Sequence, residues 1–435
     1  MSRFLSTPGP LGLGNYIGAS GCLSHVAVIL QEQGRFRLGE RGTMRDGELL
    51  LAPYFEVIAM KRSMIAGLLL TTLSGALIFP SPANATSYRA VKLGTLGAIG
   101  TSVAYGINAS GQVVGYSSTA SADLHAFVTG PDGVGMTDLG TLEGPSGFYS
   151  SAQGINASGQ VVGWSGVPGA RLEAFITGPN GVGMTDLGNL GSVGSLAYGI
   201  NASGQVAGWS ATASPNEARA FITGSNGVGL VNLGTLGGSD SYAYGLNANG
   251  QVVGQSTTAS GASHAFITGP DGVGMTDLGT LGGSVSIAKG INATGQVVGS
   301  SDTTSGYDHA FITGPDGVGM TDLGTLTGNS SYAYGISMTG QVVGNFITTG
   351  GAYHAFITGP DGVRITDLNN LVSLSGGDYF TLAAGINDAG QIIANTYRGS
   401  AYLLTPVPEP DTYALMLAGL GLLGLLATRH KCTVA

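Results

Sequence analysis

His264–Ser300 reads HAFITGPDGVGMTDLGTLGGSVSIAKGINATGQVVGS, and the reading of this stretch decides the fold. It recurs, with small changes, from about residue 88 to about residue 406. The glycine of its GIN step stands at Gly106, Gly154, Gly199, Gly245, Gly290, Gly335 and Gly385, in steps of 48, 45, 46, 45, 45 and 50. The AF step keeps the same beat at Ala126, Ala174, Ala220, Ala265, Ala310 and Ala355, and a degenerate Ala401-Tyr402 ends the series. A fixed period in the forties marks a repeat architecture in which each unit is one supersecondary element.

Each unit holds four short apolar runs. Run a is MTDLGTL (Met275–Leu281), run b the segment ending in GIN (Ile287–Asn292), run c QVVGS (Gln296–Ser300) and run d HAFIT (His264–Thr268). They are rich in Val, Ile, Thr, Phe and Tyr and bounded by turn residues, which is strand grammar; none is long enough for an ordinary helix. Run d joins run a through GPDGVG, where proline presets a turn and glycine is free to take positive φ. Run b joins run c through N-A-S-G or N-A-T-G, a second tight turn. The a-to-b links (282–286) and c-to-d links (257–263) are looser.

Four strands at this period predict a β-propeller blade. Each run occurs seven times, so the expected fold is an all-β, seven-bladed propeller of four-stranded blades; a β-solenoid is the runner-up. The chain enters on run a (Tyr88–Leu96) and leaves on run d (Ala401–Thr405). Cutting a blade between d and a would split a tight hairpin. The N- and C-terminal strands are therefore expected to pair in one blade and close the ring, removing the edges that invite aggregation.

Composition narrows the function. Of 435 residues, 77 are glycine and 9% are charged, yet 43% are hydrophobic, which excludes a disordered polar tract. Net charge is −9, and the repeats carry no basic cluster, which argues against nucleic acid. Cys22 and Cys432 both lie outside the repeats, so no disulfide framework or cysteine metal site is expected there.

The flanks read as addresses. Residues 1–59 match nothing in the repeats and read as an over-long gene start or a leader. Residues 60–85 carry Met60-Lys61-Arg62, an apolar run from Met64 to Phe79 and Ala83-Asn84-Ala85: the charged region, apolar core and cleavage site of a secretory signal peptide cut after Ala85. Residues 86–406 form the repeat domain. Residues 407–431 hold Val407-Pro408-Glu409-Pro410, an apolar run from about Thr412 to Thr428 at the short limit of a membrane span, and a basic end of Arg429, His430 and Lys431.

This last arrangement resembles the PEP-CTERM sorting signal of Gram-negative bacteria. The resemblance implies cleavage near Pro-Glu-Pro by the membrane protease exosortase, after transient anchoring of a transmembrane helix in the inner membrane. It also implies release or surface display and a link to exopolysaccharide and biofilm. The repeats, with HAF at His125, His264, His309 and His354, DLGTL and GIN-x-x-G-Q-V-V-G, resemble the HAF-repeat family of extracellular proteins. They depart from it in AFITG, where AFLW is expected, and in Glu173 and Arg219, which replace histidine. That family implies export and supplies no catalytic residues.

Within the repeats, the run-a carboxylates Asp138, Asp186, Asp277, Asp322 and Asp367, and the Asp132, Asp271, Asp316 and Asp361 of GPDG, recur too regularly for a single catalytic site. They are expected to hold backbone amides at turns. The HAF histidines, one per blade, lie too far apart for a shared metal, which needs its ligands at about 2 Å. More informative are positions that break the pattern. After QVVG stand Tyr116, Trp164, Trp209, Gln255, Ser300 and Asn345. Tyr116, Trp164 and Trp209 form a candidate ligand platform by apolar area and ring stacking, with inter-blade packing as the plainer role. No nucleophile elbow, P-loop or zincin motif occurs.

The expectation is an exported, non-enzymatic protein of the cell surface or extracellular matrix, with no metal and no cofactor, binding exopolysaccharide or a surface protein. Exosortase and the secretion machinery would be transient partners, and the membrane is met only through the C-terminal segment. The alternative is a propeller-type polysaccharide-active enzyme, a glycosidase or lyase. It would need titratable outliers (Glu143, Arg171, Glu173, Glu217, Arg219, Asp240, Lys289, Asp302, Asp308) to converge on one funnel.

Overall fold

The computed structural model describes residues 87–407, apart from 145–147, 170 and 215–216. The two predicted processing segments, with Ala83, Ala85, Pro408–Pro410 and the basic end Arg429–Lys431, lie outside the described residues. Among the described residues no helix is long and apolar enough to cross a membrane.

The regular elements are strands and three-residue 3-10 turns, and the strands form four-stranded sheets in a propeller-like arrangement. One group of four is typical. Ser102–Ile107 (run b), Val113–Ser118 (c), Leu124–Thr129 (d) and Met136–Gly140 (a) pair antiparallel in that order. The fourth and fifth groups are joined by one parallel bridge, Ser263 to Val285, into a single eight-stranded sheet. In the last group Phe380–Ile386, Ile392–Thr396 and Ala401–Pro406 take the first strand of the domain, Tyr88–Lys92, as their fourth. Tyr88 pairs with Pro406 and Lys92 with Tyr402. Beside this pair the Val407 N–H donates to Ser87 O at 3.0 Å.

The core lies between groups rather than within them. Phe266, Val252 and Ala243 of the fourth group pack on Ala207, Ala220 and Ile222 of the third, all buried. Ala104, Val113 and Phe127 of the first group meet Leu93, Ile393, Ala401 and Leu403 of the seventh in the same way, so the first group rests on the seventh. A sheet this rich in glycine and alanine buries little on its own. Its stability comes from stacking at least one fully buried phenylalanine per group against the preceding group.

Polar side chains repeat this linkage. Asn156 Nδ2 donates to Asn201 O at 3.1 Å, Asn201 to Asn247 O at 3.3 Å, Asn247 to Asn292 O at 3.2 Å and Asn292 to Ser337 O at 3.1 Å. Asn108 reaches Asn156 O and Asn387 reaches Asn108 O, each at 3.0 Å. Where Ser337 replaces the asparagine, the Met338 N–H donates instead to Asp388 Oδ1 at 2.8 Å. The asparagine of GIN is thus a link between neighbouring turns as well as a turn former.

Three local features differ from the sequence reading. Run a is short: Met275–Asp277 is three residues and Met136–Gly140 five, and in both the aspartate side chain accepts the N–H of the glycine two residues on, Gly279 to Asp277 Oδ1 at 2.7 Å. The link that follows is not loose, since Gly282–Ile291 is one ten-residue strand. In the PDG turns the glycine takes positive φ as expected, 71° to 74° at Gly133, Gly272, Gly317 and Gly362, but the aspartate before it does so too, from 51° to 53° at Asp132, Asp271, Asp316 and Asp361. Asp and Asn tolerate this conformation where most residues do not, and Asn180 and Asn226 occupy the equivalent sites.

Candidate functional site

Run b lies at the inner edge of every group. Its glycines Gly106, Gly154, Gly199, Gly245, Gly290, Gly335 and Gly385 line one central cavity of about 210 Å³. Close approach explains the residue type. A Cβ on Gly154 would stand 2.7 Å from Tyr198 O, and one on Gly290 would stand 2.9 Å from Tyr334 O, both on the next strand. The residue before each glycine is bulged: register passes from Ala104 opposite Gly115 to Gly106 opposite Val114, leaving Tyr105 unpaired. Bulges re-aim side chains, and here the bulged set is Tyr105, Gln153, Tyr198, Tyr244, Lys289, Tyr334 and Ala384.

This ring is the feature that inspection of the sequence passed over. Tyr198 and Tyr244 meet edge to face with centroids 5.4 Å apart, and Lys289 Nζ stands 3.5 Å from the Tyr244 centroid. Burial pushes Tyr105 up to about 12, with Tyr116 beside it adding to the shift, and raises Tyr198, Tyr244 and Tyr334. These phenols are neutral donors at physiological pH. Burial also lowers Lys289 to about 8, with no charged neighbour contributing. The ring therefore offers hydroxyl donors, aromatic faces and one cation held by a cation–π contact. Four tyrosines at one repeat position were the available signal.

Lys289 permits a direct check. Its amine titrates near 8 when folded and near 10.5 when unfolded. Below pH 8 both states are charged and the burial cost is constant. Between 8 and 10.5 the unfolded chain binds more protons, so stability rises with pH. Lys289→Met is expected to raise stability at pH 7 by about 1–3 kcal/mol, a gain that fades by pH 10.5. Urea midpoints of both proteins at pH 7, 9 and 10.5 measure this, and a destabilised variant at pH 7 would contradict it.

The other candidates are placed as follows. Each HAF histidine meets the run-a aspartate of its own group: His125 with Asp138 (2.9 Å), His264 with Asp277 (2.8 Å), His309 with Asp322 (2.8 Å) and His354 with Asp367 (2.7 Å). The four histidines belong to four different groups, and each is taken up by its own aspartate. Among the described residues no three His, Cys, Asp or Glu side chains gather as a metal site. Asp271, Asp316, Asp361 and Asp132 accept from Gln205, Gln251, Gln296 and Gln391 of the preceding group at 3.0–3.3 Å.

Tyr116, Trp164 and Trp209 are half-buried. Trp209 packs edge-on against Tyr242 of the next group, centroids 5.4 Å apart; Trp164 packs against Tyr149 of its own group at 5.8 Å, and Tyr116 leans on Tyr105 at 5.9 Å. Each aromatic thus has a tyrosine neighbour and keeps part of its surface in solvent. Of the charged outliers, Glu173 is buried beside Ser195 Oγ (3.4 Å) and Arg219 pairs with Glu217 (3.0 Å). Asp302 stands opposite Asp308 across the fifth group, raised by burial and then by that neighbour, and Asp308 accepts from Tyr332 Oη at 2.9 Å. These groups sit in separate sheets.

Residues 406–431 match the PEP-CTERM protein-sorting motif. No curated protein matches the chain. Among solved structures, TolB from Acinetobacter baumannii is similar at 11% identity and a TM-score of 0.41, over 58% of this chain and 61% of that one. A puromycin hydrolase is similar at 14% identity and 0.47, over 72% of this chain and 52% of that one. The β-propeller domain of the Trilobed protease from Pyrococcus furiosus is similar at 8% identity and 0.42, over 60% of this chain and 85% of that one. The chain thus spans about three fifths of the first of these and about half of the second. The sorting motif, for its part, points to export and to processing by exosortase in a Gram-negative bacterium.

Proposed function

We propose that the chain is an exported, non-enzymatic binding module whose seven four-strand groups are the blades of one closed ring. The observation that carries this is the sorting motif at residues 406–431, directly behind the last strand. Ring closure is supported by the pairing of Tyr88–Lys92 with Ala401–Pro406 and by the Asn387-to-Asn108 link. The module is cut after Ala85 and again near Val407–Pro410 and acts at the cell surface or in the extracellular matrix, as the HAF-like repeats also imply. Its partner is an exopolysaccharide or a surface protein, engaged by aromatic side chains such as Trp164, Trp209 and Tyr116. The non-enzymatic reading is supported by the spread of the charged outliers over several groups: Glu173 in the second, Arg219 in the third, Asp240 in the fourth and Asp302 with Asp308 in the fifth.

Two measurements test this. Mass spectrometry of the protein released by cells carrying exosortase is expected to show residues 86 to about 407–410; an intact Met1 or a retained apolar tail overturns the processing reading. Retention on the producer's exopolysaccharide is expected to fall roughly tenfold in Trp164→Ala/Trp209→Ala, an aromatic contribution of about 1.4 kcal/mol. Unchanged retention removes the platform.

A further inference from the structure

The last repeat step is 50 residues, from Gly335 to Gly385, against 45 or 46 through the middle of the chain. The extra residues fall in the link before Phe380–Ile386 and fold into two 3-10 turns, Leu368–Asn370 and Ser375–Gly377. Asp367 Oδ1 accepts the Asn369 N–H at 2.8 Å, and Asn369 ties both backbone groups of Phe380 at 2.8 and 3.0 Å. The link is therefore held in place, and it delivers Tyr379 to a defined position. The Tyr379 and Tyr397 rings stack at 5.4 Å with planes 10° apart, and the Tyr397 N–H donates to Tyr379 O at 3.0 Å. His354, fixed by Asp367, leans on the Tyr379 ring at 5.3 Å.

Between the sixth and seventh groups a cavity of about 440 Å³ opens, lined by Asn345, Tyr353, Tyr379, Thr381, Thr396 and Tyr397 among others. That volume lies within the range of small-molecule sites, about 300–1,000 Å³. Tyr353 and Tyr397 are 48% and 71% exposed, and Asn345 is 8% exposed. Asn345 Oδ1 has no hydrogen-bond partner among the described residues. The seventh group supplies a comparison. Asn395, at the equivalent position, uses both ends of its amide, accepting from Ala104 N at 2.9 Å and donating to Ala104 O at 3.0 Å. The same residue type is thus satisfied in one group and left open in the other. A buried acceptor without a donor is costly unless something supplies one. Thr396 Oγ1 accepts from the Ser400 N–H at 3.2 Å, which leaves its own hydrogen to donate.

We infer that this cleft binds one pyranose ring of a neutral saccharide. The ring lays a C–H face on Tyr397 beside Tyr353, and one hydroxyl donates to Asn345 Oδ1. Another accepts from Thr396. None of these six lining side chains is charged, which disfavours an acidic or basic sugar. The inference deepens the binding reading by naming a ligand class and rests on that reading, but places the ligand away from Trp164 and Trp209.

The test is titration of the secreted protein with a panel of neutral mono- and disaccharides, followed by calorimetry and saturation-transfer NMR. Tyr397→Ala and Asn345→Leu are compared with Trp164→Ala/Trp209→Ala, and thermal midpoints verify that each folds. The expected result is saturable binding weakened tenfold or more by Tyr397→Ala and Asn345→Leu and unchanged in the tryptophan variant, a loss of at least about 1.4 kcal/mol. Asn345→Leu is expected to fold at least as well as the parent, since it removes the unmet acceptor. Binding that survives both cleft variants overturns the inference. If it is instead lost in the tryptophan variant, the broader binding reading stands. No saturable binding to the panel, or capture of planar aromatics such as indole alone, also overturns the inference. Polysaccharide retention that persists in that case keeps the broader reading.

Discussion

Gly254→Ala is expected to cost about 3 kcal/mol or more, the level reached when a side chain is forced into a filled site. Gly254 ends the QVVG step of the fourth group and stands opposite Ala243. A Cβ there would overlap the Tyr242 carbonyl oxygen and approach its carbon to 2.8 Å. Neither strand can yield, because Tyr242 is paired with Gln255 and Gly254 with Phe266 on the other side. The seventh group provides the natural comparison. It carries Ala394 at this position, and there the inner strand skips an additional residue, Thr381, between Phe380 and Leu382. Where alanine is present, the neighbouring strand is bulged one step earlier. Ala394→Gly is accordingly expected to lose only about 1 kcal/mol, from added chain freedom. Urea midpoints followed by tryptophan fluorescence measure both, and a loss under 1 kcal/mol in Gly254→Ala would refute the steric account.

Deletion of Tyr88–Lys92 is the second large effect. These five residues supply the outer strand of the last group. Tyr88 is buried against Phe380 and Leu404 in a cluster shared with the sixth group. Losing a buried aromatic alone costs roughly 3–5 kcal/mol. The deletion also bares the edge of Ala401–Pro406, an invitation to pair with another copy. The truncated protein is expected to lose roughly 5 kcal/mol of unfolding free energy and to self-associate, with Tyr88→Ala intermediate. Matching midpoints and light scattering for the truncated and intact proteins would show that the strand is dispensable, and with it the closure.

Much of the fold was legible because the repeat states its own chemistry. Proline and glycine bracket the turns, and alternating Val, Ile and Phe mark the strands. The phase of the first and last runs pointed to the pairing of Tyr88–Lys92 with Ala401–Pro406. The run-a aspartates were read as amide holders, and Asp277 on Gly279 shows the contact. Less legible was anything set by contacts between units. The extent of the inner strand was missed because Gly282 and Gly283 read as a linker. Only pairing of Gly282 with Thr303 makes it a strand. The bulged tyrosines were hidden because one residue of slip cannot be seen without the partner strand.

The candidate site divides along the same line. The period, the four-strand unit and the sorting motif behind it belong to the sequence alone, because spacing and turn chemistry are local properties of a chain. Tertiary structure decided which glycines face the centre, why Lys289 loses affinity for its proton, and why Asn395 is satisfied while Asn345 is not. Each depends on the distance to an atom in another unit. Burial and hydrogen bonding are set by such distances, and near-identical repeats carry no record of them.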